Sequence, residues 1–220
     1  MSVSTSRNEK AKSFDLAYRT AEMYYGWAVR PEFERFFKNM DLSGKSALDL
    51  GAGEGRYSIH LARRGCAVTA VDFSASGLNK LQSLAVQEKL PVTTVLCDLE
   101  NYAFPDAAFD VVVAATILDH LETDARHRAM AGMVAALKPG GLVYVNVFTT
   151  QDPGYAAAGA PDADGVSDTS FGMAHYFEPG ELKSCFAGLA LLDYYEGVEE
   201  DTSHGKPHHH GWASLIAKKE

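Results

Sequence analysis

Asp49-Leu50-Gly51-Ala52-Gly53-Glu54-Gly55 sets a carboxylate two residues ahead of three alternate glycines. Glycines at that spacing let a backbone pass very close to a ligand. Helix-like sequence begins just beyond, at Arg56, and the first N–H groups of a helix are open to an anionic group. Two further acids, Asp72 beside Phe73 and Asp98 beside Leu99, each end an apolar run. An acid at the tip of the strand after a glycine-rich turn suits ribose hydroxyls.

Two ligand classes share this geometry. Dinucleotide sites favour G-x-G-x-x-G, whose third glycine admits close helix–strand packing. Here Arg56 stands at that third position, and Asp49 adds an acid before the first glycine. Such an acid suits a cofactor with an ammonium group and no pyrophosphate. S-adenosylmethionine, with a sulfonium, an amine and one carboxylate, meets that description.

Other side chains offer chemistry on the acceptor side. Tyr24, Tyr25 and Trp27 form an aromatic group near the N-terminus, and an aromatic face is favourable beside a sulfonium. Tyr24 is expected at the cofactor and Tyr25 at the substrate. His120 follows the fourth apolar run and, with Tyr25, is a candidate base; His175 and His204 are candidate substrate contacts. In the run His208-His209-His210 only the outer two share a strand face. No cysteine or acid stands at matching spacing, so no metal site is expected.

These residues need elements to hold them. The pattern predicts strands at Ala47–Leu50, Ala67–Val71, Val92–Leu96, Phe109–Ala115, Leu142–Phe148, Leu189–Tyr195 and Trp212–Lys218. Helices are expected at Arg56–Arg64, from a Ser74 cap to Lys89, at Thr123–Leu137 and at Pro179–Phe186. Lys138-Pro139-Gly140-Gly141 reads as a stop signal. Alternating strands and helices imply an α/β fold with a parallel sheet covered on both faces. One domain is expected, 1–220: a helical cap at 1–40, a cofactor-binding core at 42–150, a lid-like loop at 151–174, and a helix with a strand pair at 175–220.

Composition narrows the partners. The chain has 220 residues and a formal net charge of -9, the wrong sign for tracking a phosphate backbone. Nucleic acid is therefore not expected as substrate. No apolar run approaches a membrane span, the polar N-terminus has no signal-peptide core, and the odd, scattered cysteines indicate a reducing compartment. A cytoplasmic monomer or homodimer is expected.

From Leu42 to Phe148 the chain resembles the class I S-adenosylmethionine-dependent methyltransferases. The resemblance implies a Rossmann-like, doubly wound seven-stranded sheet, mostly parallel with an antiparallel last strand. It implies that Asp49 to Gly55, with Gly51, Ala52 and Gly53, lies under the methionine part of the cofactor. Asp72 would take the ribose hydroxyls with Phe73 beside the adenine, and Asp98, next to Leu99, the adenine amino group. The segment Ala115-Thr116-Ile117-Leu118-Asp119-His120 would border cofactor and substrate. His175 to Lys183 and Trp212 to Lys219 resemble the end of the tellurite-resistance methyltransferases, a group similar to the thiopurine methyltransferases. Where that group has a His-Arg pair, this chain has His204 without an arginine. The function implied is methyl transfer to a small molecule by in-line displacement, leaving S-adenosylhomocysteine. A non-catalytic S-adenosylmethionine-binding module and an NAD-dependent oxidoreductase are the alternatives.

Overall fold

Short runs of valine, alanine and leucine, apolar at consecutive positions, form strands that must be buried on both faces. A computed structural model describes residues 12–19, 23–157, 166–169, 172–202 and 206–220. The first helix, α1, is helical at 12–19. Then follow α2 (Pro31–Phe37), β1 (Ser46–Leu50), α3 (Arg56–Ala62), β2 (Ala67–Asp72), α4 (Ala75–Glu88), β3 (Val92–Leu96) and β4 (Phe109–Ala115). The chain continues through α5 (Thr123–Ala136), β5 (Leu137–Phe148), α6 (Pro153–Ala157), β6 (Val166–Thr169), β7 (Gly172–His175), α7 (Glu181–Cys185), β8 (Ala190–Asp201) and β9 (His208–Lys218).

Seven strands make one sheet in the order β3-β2-β1-β4-β5-β9-β8. Strands β1 to β5 pair in parallel, while β9 runs antiparallel to both β5 and β8. The sheet is thus doubly wound, mostly parallel, with an antiparallel last strand. Side chains alternate between two cores. Leu48, Leu50, Val112, Val143 and Val145 pack with Met130 and Met133 of α5 on one face. Ala47, Val111, Val113 and Tyr144 pack with Phe33, Ile59 and Leu81 of α2, α3 and α4 on the other. Ser74 caps α4 by accepting from the Gly77 N–H.

Three segments depart from the sequence reading. Helix α5 stops at Ala136, ahead of Lys138–Gly141 as expected, but the stop segment is itself extended. It is absorbed into β5 as an irregularity, since Phe109 pairs with Leu137 and Val111 with Leu142. The stretch 151–174 carries α6 and an antiparallel ribbon of β6 on β7, elements too short to leave a periodicity in sequence. The last hairpin is longer than expected, with Asp201 paired to His208. The histidine run therefore lies within β9 rather than in a connection.

Candidate active site

The turn after β1 is built by backbone conformation. Gly51, Gly53 and Gly55 have φ of 65°, 53° and 90°, the left-handed region that costs a side chain about 1–2 kcal/mol. A Cβ on Gly51 would stand 2.7 Å from Ile117, and one on Gly53 2.7 Å from the Tyr18 hydroxyl. A Cβ on Gly77 would stand 2.8 Å from the Gly53 carbonyl oxygen. Helix α4 thus packs against the turn because its own residue there lacks a side chain.

Two carboxyls sit under this turn. Asp49 is buried and accepts from the Ser58 hydroxyl at 2.6 Å. Asp72 is buried and accepts from the Gly53 N–H at 2.8 Å and the Ser74 N–H at 2.7 Å. Burial pushes Asp49 up to about 7 and Asp72 up to about 6, against the pull of those donors. Asp98 caps the short turn after β3, accepting from the Glu100 N–H at 3.1 Å.

An N-terminal layer closes over this floor. Asp15 accepts from the Ser74 hydroxyl at 2.8 Å and the Ser76 N–H at 2.9 Å, tying α1 to the start of α4. The Tyr24 N–H donates to Glu54 at 2.7 Å, and Arg56 donates to the carbonyls of Tyr25 and Ala28. Arg56, which breaks the dinucleotide pattern, therefore moors the cap.

All of this surrounds a cavity of about 1040 Å³. Asp49, Gly51, Ala52, Gly53, Asp72, Phe73, Asp98, Leu99, Thr116, Tyr25 and His120, all expected at the site, line it. Thr116, at φ 51°, is a non-glycine residue in the left-handed region where β4 opens into the site. Two expected residues are not on its wall. Tyr24 meets the site through its backbone N–H to Glu54 and an edge-on ring contact with Tyr25 at 4.8 Å. His175 pairs with Glu181 at 2.8 Å and packs edge-on against Phe177. His204 lies outside the described residues.

Sequence reasoning missed part of the wall. Phe14 and Tyr18 line the cavity from α1, within the expected helical cap. At the opposite end Phe148, Tyr176, His210 and Trp212 are brought in by β5, the bridge at Phe177 and β9. Phe148 stacks on Trp212 with centroids 4.5 Å apart, and the Arg30 guanidinium lies 4.9 Å over the indole. The buried Trp212 Nε1–H has no hydrogen-bond partner among the described residues. Asp152 accepts from His210 Nδ1 at 2.8 Å, and burial beside Asp152 and Asp119 pushes the Tyr176 hydroxyl up to about 12.

Comparison with known proteins agrees with this architecture. Residues 47–141 match the methyltransferase domain family. A ubiquinone biosynthesis O-methyltransferase of Coxiella burnetii is 29% identical over 161 residues, 71% of this chain and 68% of that protein. An uncharacterized methyltransferase of Mycobacterium tuberculosis is 35% identical over 109 residues, 50% of this chain and 53% of its own length. Among solved structures, TehB from Haemophilus influenzae has a TM-score of 0.70 at 22% identity, covering 96% of this chain and 67% of that one. A didemethyltoxoflavin N1-methyltransferase of Burkholderia thailandensis, solved with S-adenosylhomocysteine, has a TM-score of 0.68 at 21% identity, covering 95% and 86%. The fold is that of the class I, Rossmann-like methyltransferases. The chain is an S-adenosylmethionine-dependent methyltransferase, and its methyl donor is S-adenosylmethionine.

Proposed function

We propose that S-adenosylmethionine occupies the glycine-turn end of the cavity and a small, flat acceptor occupies the end walled by β9. One observation carries this reading: a single cavity runs from Gly51, Gly53, Asp72 and Asp98 to Tyr176, His210 and Trp212. Asp49 and the turn Gly51-Ala52-Gly53 lie under the methionine part, and Asp72 holds the ribose hydroxyls. Phe73 and Leu99 flank the adenine, with Asp98 on its amino group. Tyr18 and Tyr25 present rings near the sulfonium, where an aromatic face stabilises positive charge.

The acceptor end supports an aromatic molecule carrying oxygen. Phe148, Tyr176 and Trp212 offer ring surface, and the Trp212 Nε1–H offers a donor to an acceptor oxygen. The Coxiella relative is named for an O-methyl transfer in ubiquinone biosynthesis. An oxygen lone pair attacks the methyl carbon in line, the carbon–sulfur bond breaks, and its electrons remain on sulfur as S-adenosylhomocysteine. The chain's main contribution is alignment in a site shielded from water. His120, on the cavity wall, is the candidate to take the acceptor proton if it is still present at attack, and Tyr25 is held neutral by burial. The net charge of -9 supports a small acceptor over nucleic acid. The free cysteines Cys66, Cys97 and Cys185 support a reducing, cytoplasmic setting.

The test is transfer of labelled methyl from S-adenosylmethionine across phenols, carboxylic acids, thiols, selenite and tellurite. The expected result is label on a phenolic oxygen. Label confined to the chalcogen oxyanions would overturn the acceptor assignment. Tight cofactor binding with no label on any small molecule would leave a binding module instead.

A further inference from the structure

The β8–β9 hairpin carries a cluster that methyl transfer does not require. Asp201 faces His208 directly across the two strands, and His210 follows His208 on the same face. The ligand-capable atoms of Asp201, His208 and His210 all lie within 4.8 Å of one another. Sequence spacing hid this acid, because it joins the histidines only through strand pairing.

Proton positions in the cluster follow from the partners of each ring. His208 Nδ1 lies 2.8 Å from the Lys206 carbonyl oxygen, which only accepts. His210 Nδ1 lies 2.8 Å from Asp152 Oδ2, a carboxylate oxygen that also accepts from the Gly211 N–H. These partners suit rings that carry the hydrogen on Nδ1. In neutral rings both Nε2 atoms then carry lone pairs, and these two atoms face each other at 2.8 Å. Two lone pairs at that separation repel unless a positive charge lies between them. A shared proton is one solution, and a cation is the other.

We infer that Asp201, His208 and His210 bind one divalent metal ion of the zinc type on the wall of the cavity. Imidazole nitrogens and a carboxylate are the donors such an ion prefers, and three protein ligands leave a position open. Tetrahedral ligands at zinc distances stand about 3.4 Å apart, so small side-chain rotations convert the histidine contact into a ligand pair. The supporting shell is also present. A carboxylate behind His210 and a backbone carbonyl behind His208 are the partners that orient metal-bound imidazoles. Phe148 and Trp212 hold the His210 ring, at centroid distances of 5.0 and 4.9 Å. Asp201 and His210 both line the cavity, so the site adjoins it. The inference rests on these residues alone and not on the acceptor proposed above.

Untagged, chelator-treated full-length protein would be titrated with Zn2+ against a chromophoric chelator, and with Co2+ followed by its visible absorption. We expect one Zn2+ per chain and a low-coordinate Co2+ spectrum. His208→Ala and His210→Ala should each weaken Zn2+ binding at least about 100-fold, and Asp152→Asn about 10- to 100-fold. His209→Ala, exposed and on the opposite strand face, should leave affinity unchanged. S-adenosylhomocysteine binding reports the fold of each variant, with His208→Gln replacing any alanine variant that fails it. No stoichiometric binding, or equal affinity in wild type and the His208 variant, would overturn the site. So would a His209→Ala loss as large as that of His208→Ala, since the run would then be only a surface histidine tract.

Discussion

Asp72 links the fold to the proposed cofactor site. Its two oxygens accept from the N–H groups of Gly53 and Ser74, which fixes the turn against the start of α4. Replacing it with Ala should lower S-adenosylhomocysteine affinity by about one to three orders of magnitude, from lost charge-assisted hydrogen bonds to the ribose. It should also lower the thermal midpoint without ligand. Two buried donors would lose their acceptor, at about 1–3 kcal/mol each, and each kcal/mol is worth roughly 2–4 °C in a chain of this size. Calorimetry and thermal melts check both parts, and unchanged affinity would mean that the ribose lies elsewhere. Asp49 and Asp72 also predict a pH dependence. Their values rise from 3.8 to about 7 and about 6 on folding. Between about pH 4 and pH 7 the folded chain therefore holds more protons than the unfolded one, and these groups cost stability as pH rises. Asp49→Asn should remove its share, so the variant's stability relative to wild type should grow across that window. A cationic sulfonium favours the ionised carboxylates. S-adenosylmethionine should accordingly release protons on binding near pH 6, seen as a buffer-dependent calorimetric enthalpy; an enthalpy independent of buffer would refute the coupling.

At the scale of elements, the glycine turn is a packing device between β1, α4 and the cap. Gly77→Ala would press a methyl against the Gly53 carbonyl, and backbone yields less readily than a side-chain tip. It should lower cofactor affinity at least about tenfold while removing no group that touches the cavity, since a 1 Å misplacement is enough. Gly51→Val and Gly53→Val should abolish binding outright, from a strained left-handed φ combined with contact to Ile117 or Tyr18. Wild-type binding in these variants, measured by calorimetry, would reduce the turn to a plain connection. Thr116 and Asn146 show the same logic across strands: the Thr116 N–H donates to the Asn146 carbonyl at 2.8 Å, aligning the ends of β4 and β5 at the cavity.

For the whole molecule, the cap decides access. Among the described residues its polar moorings to the floor include Asp15 to Ser74 and Ser76, the Tyr24 N–H to Glu54, and Arg56 to two carbonyls, beside the buried rings of Phe14 and Tyr18. A layer held this way opens at lower cost than the sheet, and a bulky cofactor needs such an opening. Amide exchange at 12–19 and 23–30 should be fast in the free protein and slow markedly with S-adenosylhomocysteine, while β1 and β4 stay protected throughout. Removing the chain before Trp27 should lower affinity and turnover together and leave the sheet folded. Slow exchange without ligand would make Tyr18 and Tyr25 ordinary core residues.

Much of this protein was legible in the linear chain because its signals are local. The acid–glycine run, the strand-end acids Asp72 and Asp98, and the Ser74 cap depend on neighbours a few residues away, and backbone conformation answers to them directly. Strands β3 and β4 fall at the residues their apolar runs predict for the same reason. What the sequence could not determine is what meets across the fold. Phe14 and Tyr18 become cavity wall only because α1 lies over the turn, and Trp212 only because β9 enters the sheet antiparallel beside β5. Tyr24 and His175 have the right chemistry and nearly the right place, yet the fold gives their side chains to packing and pairing. Asp201 and His208 stand seven positions apart and become neighbours through the register of a hairpin, and Asp152 reaches His210 from a different segment altogether. Periodicity records which face of an element is apolar; only pairing register and packing decide which polar side chains that face finally meets.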